Sequence, residues 1–161
     1  MKNPKFRLIA APFTPMNGDG SLNLARVPDY ARHLVASGVR GVFVGGTSGE
    51  GQSLTVEERL ALAETWARDG QRKKLELLVH VGHNSQAAAA RLAAHAQSIG
   101  ADSIALHAPT WFKGQALEGL IEFCVSVSAA APSLPFYLYD IPKITGVQLS
   151  SAAFLAQAKG R

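Results

Sequence analysis

Short apolar runs alternate with longer amphipathic stretches along the whole chain. Five of the runs read as strands, over residues 7–13, 41–46, 75–81, 102–108 and 135–141; each is brief, aliphatic or β-branched, and bounded by Gly, Pro or Asn. Between them, apolar positions recur with helical spacing over 24–37, 55–69, 85–99, 115–131 and from about residue 150 onward. The punctuation agrees. Thr55 with Glu58 three residues on is a capping box, while Asn84 or Ser85 and Ser150 or Ser151 are good N-cap types. Gly38 and Gly100 stand where a left-handed residue closes a helix, and Pro28 falls in the first turn of its helix, where a missing N–H costs little.

Strand–helix alternation of this kind predicts an α/β fold with parallel strands, right-handed crossovers and helices on the outside. Runs such as "GVFV" carry no polar residue, as strands covered on both faces require. No linker or low-complexity segment interrupts the series, so residues 1–161 are expected to form a single domain. Two architectures fit this pattern. One is an open doubly wound sheet; the other is a (βα)8 barrel, which takes about 250 residues and which five units are too few to close. In a sheet left unclosed, strands one and five would be bare edges. In either case function is expected just beyond the C-terminal ends of the strands.

Composition narrows the classes of function. With 161 residues, 47% hydrophobic and 17% charged, the chain can build a core and is not of disordered type. Its 16 basic and 12 acidic residues leave a net charge of +4, but the basic ones are scattered, which argues against a nucleic-acid partner. No apolar run is long enough to span a membrane, and the N-terminal one is too short for a secretory signal. The single cysteine, Cys124, excludes an internal disulfide and suits a reducing compartment, so a cytoplasmic protein with a buried thiol is expected.

The candidate chemistry lies at the strand ends. After the second strand comes "GGTSGEG", residues 45–51: Gly45, Gly46 and Gly49 allow a tight turn that exposes backbone N–H groups, and Thr47 and Ser48 add hydroxyls. It is neither a Walker loop, lacking its lysine, nor a dinucleotide fingerprint. With no Lys or Arg between residues 41 and 58, a small carboxylate suits such a nest better than a phosphate. A turn serving geometry alone is the other reading. Tyr139 ends the fifth strand, with Pro142 stiffening the turn beyond it; it could face a central cleft or simply pack. Glu50 is expected to hold the turn, and Trp66 to be core. The histidines, His33, His80, His83, His95 and His107, show no i, i+4 pair, so no metal site is predicted.

Taken together, "GGTSGEG", "HVG" at residues 80–82 and "YDIPKITGV" from Tyr139 resemble the pyruvate-dependent class I aldolases that include N-acetylneuraminate lyase and dihydrodipicolinate synthase. The resemblance runs from "APFTPMNGDGSLN" to about residue 150. It implies a (βα)8 TIM barrel with about five βα units in this chain, usually tetrameric, acting on pyruvate or another 2-keto acid through a lysine Schiff base and without a separate cofactor. By position, Thr47 and Ser48, with the amides around Gly46, would grip the carboxylate. Tyr139 would relay protons together with Thr47. Ile144 occupies the place where dihydrodipicolinate synthases carry an arginine, which is similar to the lyases; Thr110, Trp111 and Phe112 stand where tyrosines are usual. The Schiff-base lysine is implied about one βα unit, roughly 30 residues, beyond Tyr139 and so past Arg161. Lys143 and Lys159 do not fit that place. The expectation is therefore a lyase-like recognition half with negligible turnover alone. The alternatives are a dihydrodipicolinate synthase, a 2-keto-3-deoxy sugar acid aldolase, or a non-catalytic half-barrel acting as an assembly module.

Overall fold

Five parallel strands lie side by side in the order in which the chain makes them: β1 (Ile9–Ala10), β2 (Gly41–Val44), β3 (Glu76–His80), β4 (Ser103–Leu106) and β5 (Phe136–Leu138). Helices α1 (Val27–Ala36), α2 (Val56–Arg68), α3 (Gln86–Ser98) and α4 (Leu117–Ser128) join them, and α5 (Pro142–Thr145) and α6 (Ser151–Ala158) follow β5. This computed structural model describes residues 7–111 and 116–160, so Phe112 lies outside the described residues. A doubly wound sheet reverses its strand order part-way. Here the order never reverses. Right-handed crossovers that always advance in one direction place every helix on the same side, and α1 packs on α2, α2 on α3, and α3 on α4.

Register separates the two faces. Val42 pairs with Leu77, Val44 with Val79, Val79 with Ile104, and Leu106 with Leu138, so these side chains share the face under the helices. They join Leu62, Trp66, Leu92 and Ile121 in one buried cluster. Each such side chain contributes about 1.5–3 kcal/mol through burial. The other face carries Ile9, Phe43, Leu78, His80, Ala105 and Tyr137. At the edges it is open: Ile9 is 40% exposed and Tyr137 51%. Burial on both faces thus holds for β4, all of whose residues are buried, and fails for β1 and β5.

The expected helix signals are in place. Thr55 and Glu58 make the reciprocal capping box, Ser85 and Ser150 cap α3 and α6, and Gly38 and Gly100 have φ of 84° and 74°. Three expectations need correcting. The strands are shorter than their apolar runs; β1 keeps only two paired residues, since Pro12 has no N–H to offer. The 24–37 helix divides into a 3-10 turn at Leu24–Arg26 and α1. The "YDIPKITG" turn holds a helix of its own, with Pro142 in its first turn and Gly146 closing it at φ 68°. Cys124 is buried, and burial pushes its thiol up to about 12. Trp66 is buried beside the tilted ring of Tyr30, 6.1 Å between centroids.

Candidate active site

The glycines after β2 are set by contact. Gly45 has φ 71°, a left-handed conformation that favours glycine. A Cβ on Gly46 would lie 2.8 Å from the Phe43 ring, one on Gly49 3.0 Å from the Pro12 carbonyl, and one on Gly51 only 1.9 Å from the Gly45 carbonyl. The turn is therefore packed on its own strand and on itself. Gly51, the most restricted of these, is not distinguished in the sequence from other loop glycines. Inside the turn the Glu50 amide donates to the Thr47 carbonyl at 3.0 Å and the Gly51 amide to the Gly46 carbonyl at 3.2 Å. Thr14 ties it to the β1 side by donating to the Gly49 carbonyl at 2.6 Å. Glu50 takes φ 52°, a strained conformation for a residue with a side chain. The nest is consequently narrower than the sequence suggests. At its tip the amides of Gly46, Thr47 and Ser48 meet no acceptor among the described residues.

Tyr139 comes to this tip from the far edge of the sheet. Its amide continues the β5 ladder onto the Leu106 carbonyl at 2.8 Å, and its hydroxyl lies 3.2 Å from Thr47 Oγ1. Phe43 meets the Tyr139 ring edge-on at 5.1 Å between centroids and fixes its tilt. Beside the pair is a cleft of about 240 Å³, lined by Gly46, Thr47 and Glu50 from the turn, His80 and His107 from the strand ends, and Ile144 from α5. Of the five residues with an expected binding or catalytic role, Gly46, Thr47 and Ile144 line this cleft, and Tyr139 joins them through its hydroxyl on Thr47 while also lining a separate cavity with Ala108, Leu138 and Phe154. Ser48 is exposed on the turn and does not line the cleft.

The floor of the cleft rests on a buried arginine. Arg59 of α2 donates to the carbonyls of Gly82 at 2.8 Å and His80 at 2.7 Å, and Nη2 lies 3.3 Å from His80 Nδ1. Burial lowers its pKa to about 10, which leaves it charged at neutral pH. The same burial, reinforced by the Arg59 charge, holds His80 well below the usual histidine value and so neutral. His107, stacked on His80 at 4.9 Å, is lowered first by burial as well. Arg59 was missed at the level of sequence. Its signal was its place in the stripe Arg59, Leu62, Ala63, Trp66, the buried face of α2. Among the described residues no lysine lines the cleft: Lys143 sits in a separate depression with Pro142, Gln148 and Leu149, and Lys159 caps the end of α6.

A model of the dihydrodipicolinate synthetase family matches residues 5–159. The chain belongs to this family. It is 45% identical to the N-acetylneuraminate lyase of Rattus norvegicus over 149 residues, 92% of this chain and 47% of that protein. Among solved structures, the N-acetylneuraminate lyase of Proteus mirabilis superposes with a TM-score of 0.90 at 39% identity, covering 94% of this chain and 51% of that one. A dihydrodipicolinate synthase of Bacillus anthracis gives a TM-score of 0.87 at 26% identity over 96% of this chain and 52% of its own. The chain spans about half the length of the curated relatives it matches. Within the dihydrodipicolinate synthetase family its five βα units are an incomplete (βα)8 barrel, and the cleft lies at the C-terminal strand ends of that barrel.

Proposed function

We propose that this chain carries the 2-keto-acid recognition and proton-relay half of a class I aldolase of N-acetylneuraminate lyase type. The observation that carries the reading is the 3.2 Å contact between Thr47 Oγ1 and Tyr139 Oη beside a cleft with free backbone donors. A carboxylate near the tip would be held by the amides of Gly46 and Thr47 and the hydroxyl of Thr47, with Ser48 contributing through its amide. A phenol is a poor base at neutral pH unless a hydrogen-bonded neighbour shares its proton, and Thr47 is that neighbour. Tyr139 can then pass a proton to or from an oxygen of the bound acid. Imine formation would need the amine of a lysine brought to this cleft, and among the described residues none lines it. Residues 1–161 would then form one unit of a homo-oligomeric enzyme.

Two comparisons support the substrate class. The family relative YagE from Escherichia coli, at 28% identity and a TM-score of 0.87, is described in complex with pyruvate. The Rattus norvegicus relative named above is an N-acetylneuraminate lyase, and Ile144, which lines the cleft, offers an aliphatic surface and not a second carboxylate-binding charge. The test is titration of the chain with pyruvate, followed by borohydride reduction and mass spectrometry. Saturable shifts of the Thr47 and Tyr139 resonances with no covalent adduct are expected. Unmoved resonances overturn the recognition role, and an adduct on this chain overturns the division between recognition and nucleophile.

A further inference from the structure

At the N-terminal ends of the strands, opposite the cleft, the fold gathers charge that lies apart in the sequence. Arg7 precedes β1, Arg40 precedes β2, and Arg72, Lys73 and Lys74 form a 3-10 turn before β3. Because the strands are parallel, all three segments meet at one end of the sheet, around an open basin of about 360 Å³. Two carboxylates share it, Glu76 at the start of β3 and Asp102 just before β4. Both are engaged. Glu76 Oε2 meets Arg7 Nη1 at 3.0 Å, while Asp102 Oδ2 meets Arg72 Nη2 at 2.8 Å and accepts from the Leu77 amide at 2.7 Å. Arg40, Lys73 and Lys74 have no carboxylate partner among the described residues. Three positive charges in one concavity are thus left to repel one another.

Their frame is fixed by the sheet. The Arg40 amide donates to the Leu8 carbonyl at 2.9 Å and the Arg40 carbonyl accepts from the Glu76 amide at 2.8 Å, so one residue ties the three strand starts together. The Arg72 guanidinium, 23% exposed, also donates to the carbonyls of Leu75 at 2.8 Å and Gly100 at 2.6 Å. This clamps the turn that presents Lys73 and Lys74. The Arg40 side chain makes one long hydrogen bond among the described residues, from Nη1 to the Val39 carbonyl at 3.3 Å, and its remaining donors are available. No aromatic ring lines the basin and Leu75 is its one apolar member among the described residues, so a ligand would be recognised by charge and N–H donors and not by stacking. A planar guanidinium takes two phosphate oxygens at once, and two ammonium groups beside it act as point charges. A single carboxylate would offset one charge of the three. The volume falls within the range of small-molecule sites, about 300–1,000 Å³. We propose that this basin binds a small compound bearing two or more phosphate charges, with Arg40, Lys73 and Lys74 contacting it and Arg7 and Arg72 holding the frame. It lies at the opposite end of the strands from the keto-acid cleft and does not depend on that site's chemistry.

The experiment is calorimetric titration of the full chain with inorganic tripolyphosphate, at low and at physiological ionic strength, alongside nitrogen-15 NMR of the backbone amides. Saturable binding to one site is expected, weakened by salt, with shifts at residues 40 and 72–76 and none at the glycine turn. Lys73→Gln combined with Lys74→Gln should weaken binding by about tenfold or more, and so should Arg40→Gln, each by the equivalent of at least one lost charged contact. All three side chains are exposed, so the variants should fold as the wild type does. Adenosine diphosphate that binds as tightly as pyrophosphate would point to the phosphates alone as the recognised group; tighter binding would point to a phosphorylated metabolite, and either supports the site. Citrate binding as well as tripolyphosphate overturns the phosphate assignment. Affinity for single-stranded DNA that exceeds that for tripolyphosphate and grows with its length overturns the small-molecule reading. Absence of saturable binding, or affinity unmoved in both variants, overturns the proposal altogether.

Discussion

Thr47 Oγ1 lies 3.2 Å from Tyr139 Oη although the two residues are 92 positions apart and belong to the tip of β2 and to the far edge of the sheet. A contact across three strand spacings arises only if the sheet curls, bringing the tips of β2 and β5 over a shared cleft. The hydroxyl pair and the amides at the tip of the turn then lie beside one cleft. Replacing both Thr47 and Ser48 with alanine should weaken pyruvate binding by about 1–3 kcal/mol, the range for lost hydrogen bonds to a charged group. Thr47→Ala alone should account for most of this, since Ser48 does not line the cleft. Titration calorimetry of the three variants checks both statements.

Tyr139→Phe removes a single oxygen and leaves the edge-on packing against Phe43 intact. In an enzyme completed by its lysine-bearing half, it should lower turnover by about a hundredfold or more while pyruvate still binds. Unchanged turnover would take the phenol out of the proton relay.

The turn should be intolerant of one methyl group, whereas a nearby helix should welcome one. Gly51→Ala would drive a Cβ to 1.9 Å from backbone, so a loss of about 1–3 kcal/mol in urea unfolding is expected. Gly119 in α4 has nothing within 4 Å of its Cβ position. There an alanine should raise stability by about 0.5–1 kcal/mol through better helix propensity.

Acid should loosen the fold through its buried imidazoles. His80 and His107 are held below the ordinary value, by burial first and by the Arg59 charge in addition; His83 acts on His107 as well. The unfolded chain binds protons near pH 6.5 where the folded chain does not, so stability is complete above about that pH and falls below it. The slope reaches about 1.4 kcal/mol per pH unit for each fully buried ring. His95, only half-buried, is also lowered by burial first but adds less. Urea midpoints at pH 7.5 and 5.5 should differ in the wild type and differ by less in His80→Phe, where His107 remains; a flat profile in the wild type would refute the assignment.

Thr55→Ala removes the hydroxyl that accepts from the Glu58 amide, while the Thr55 amide can still donate to the Glu58 carboxylate; the loss of this half of the capping box of α2 should cost about 1 kcal/mol by the same unfolding measurement, with pyruvate affinity unchanged.

The fold was readable because each helix carries its own boundary signals and each strand its own apolar run. Ser85, Thr55, Gly38 and Gly100 act locally, so local reading finds them. Strand order was open between two architectures because register depends on partners far away in sequence. The site was readable in part for the same reason. Thr47 and Tyr139 stand at strand ends where any parallel α/β protein places its chemistry. Arg59 and Gly51 were not found. Arg59 resembles a surface charge until the buried stripe of α2 is counted, and Gly51 resembles any loop glycine until the Gly45 carbonyl is placed against it.

Every strand of this sheet pairs only with its predecessor and its successor in the chain, from Ile9 against Gly41 to Leu106 against Leu138. On a ribosome, each newly emerged βα unit would find its docking surface already made by the unit before it. A nascent chain can thus ratchet forward without waiting for distant sequence, closing loops of one unit at a time. Growth of this kind moves one bare edge forward with each unit and leaves the β1 edge bare throughout, so that first edge is the lasting place for pairing with a wrong chain.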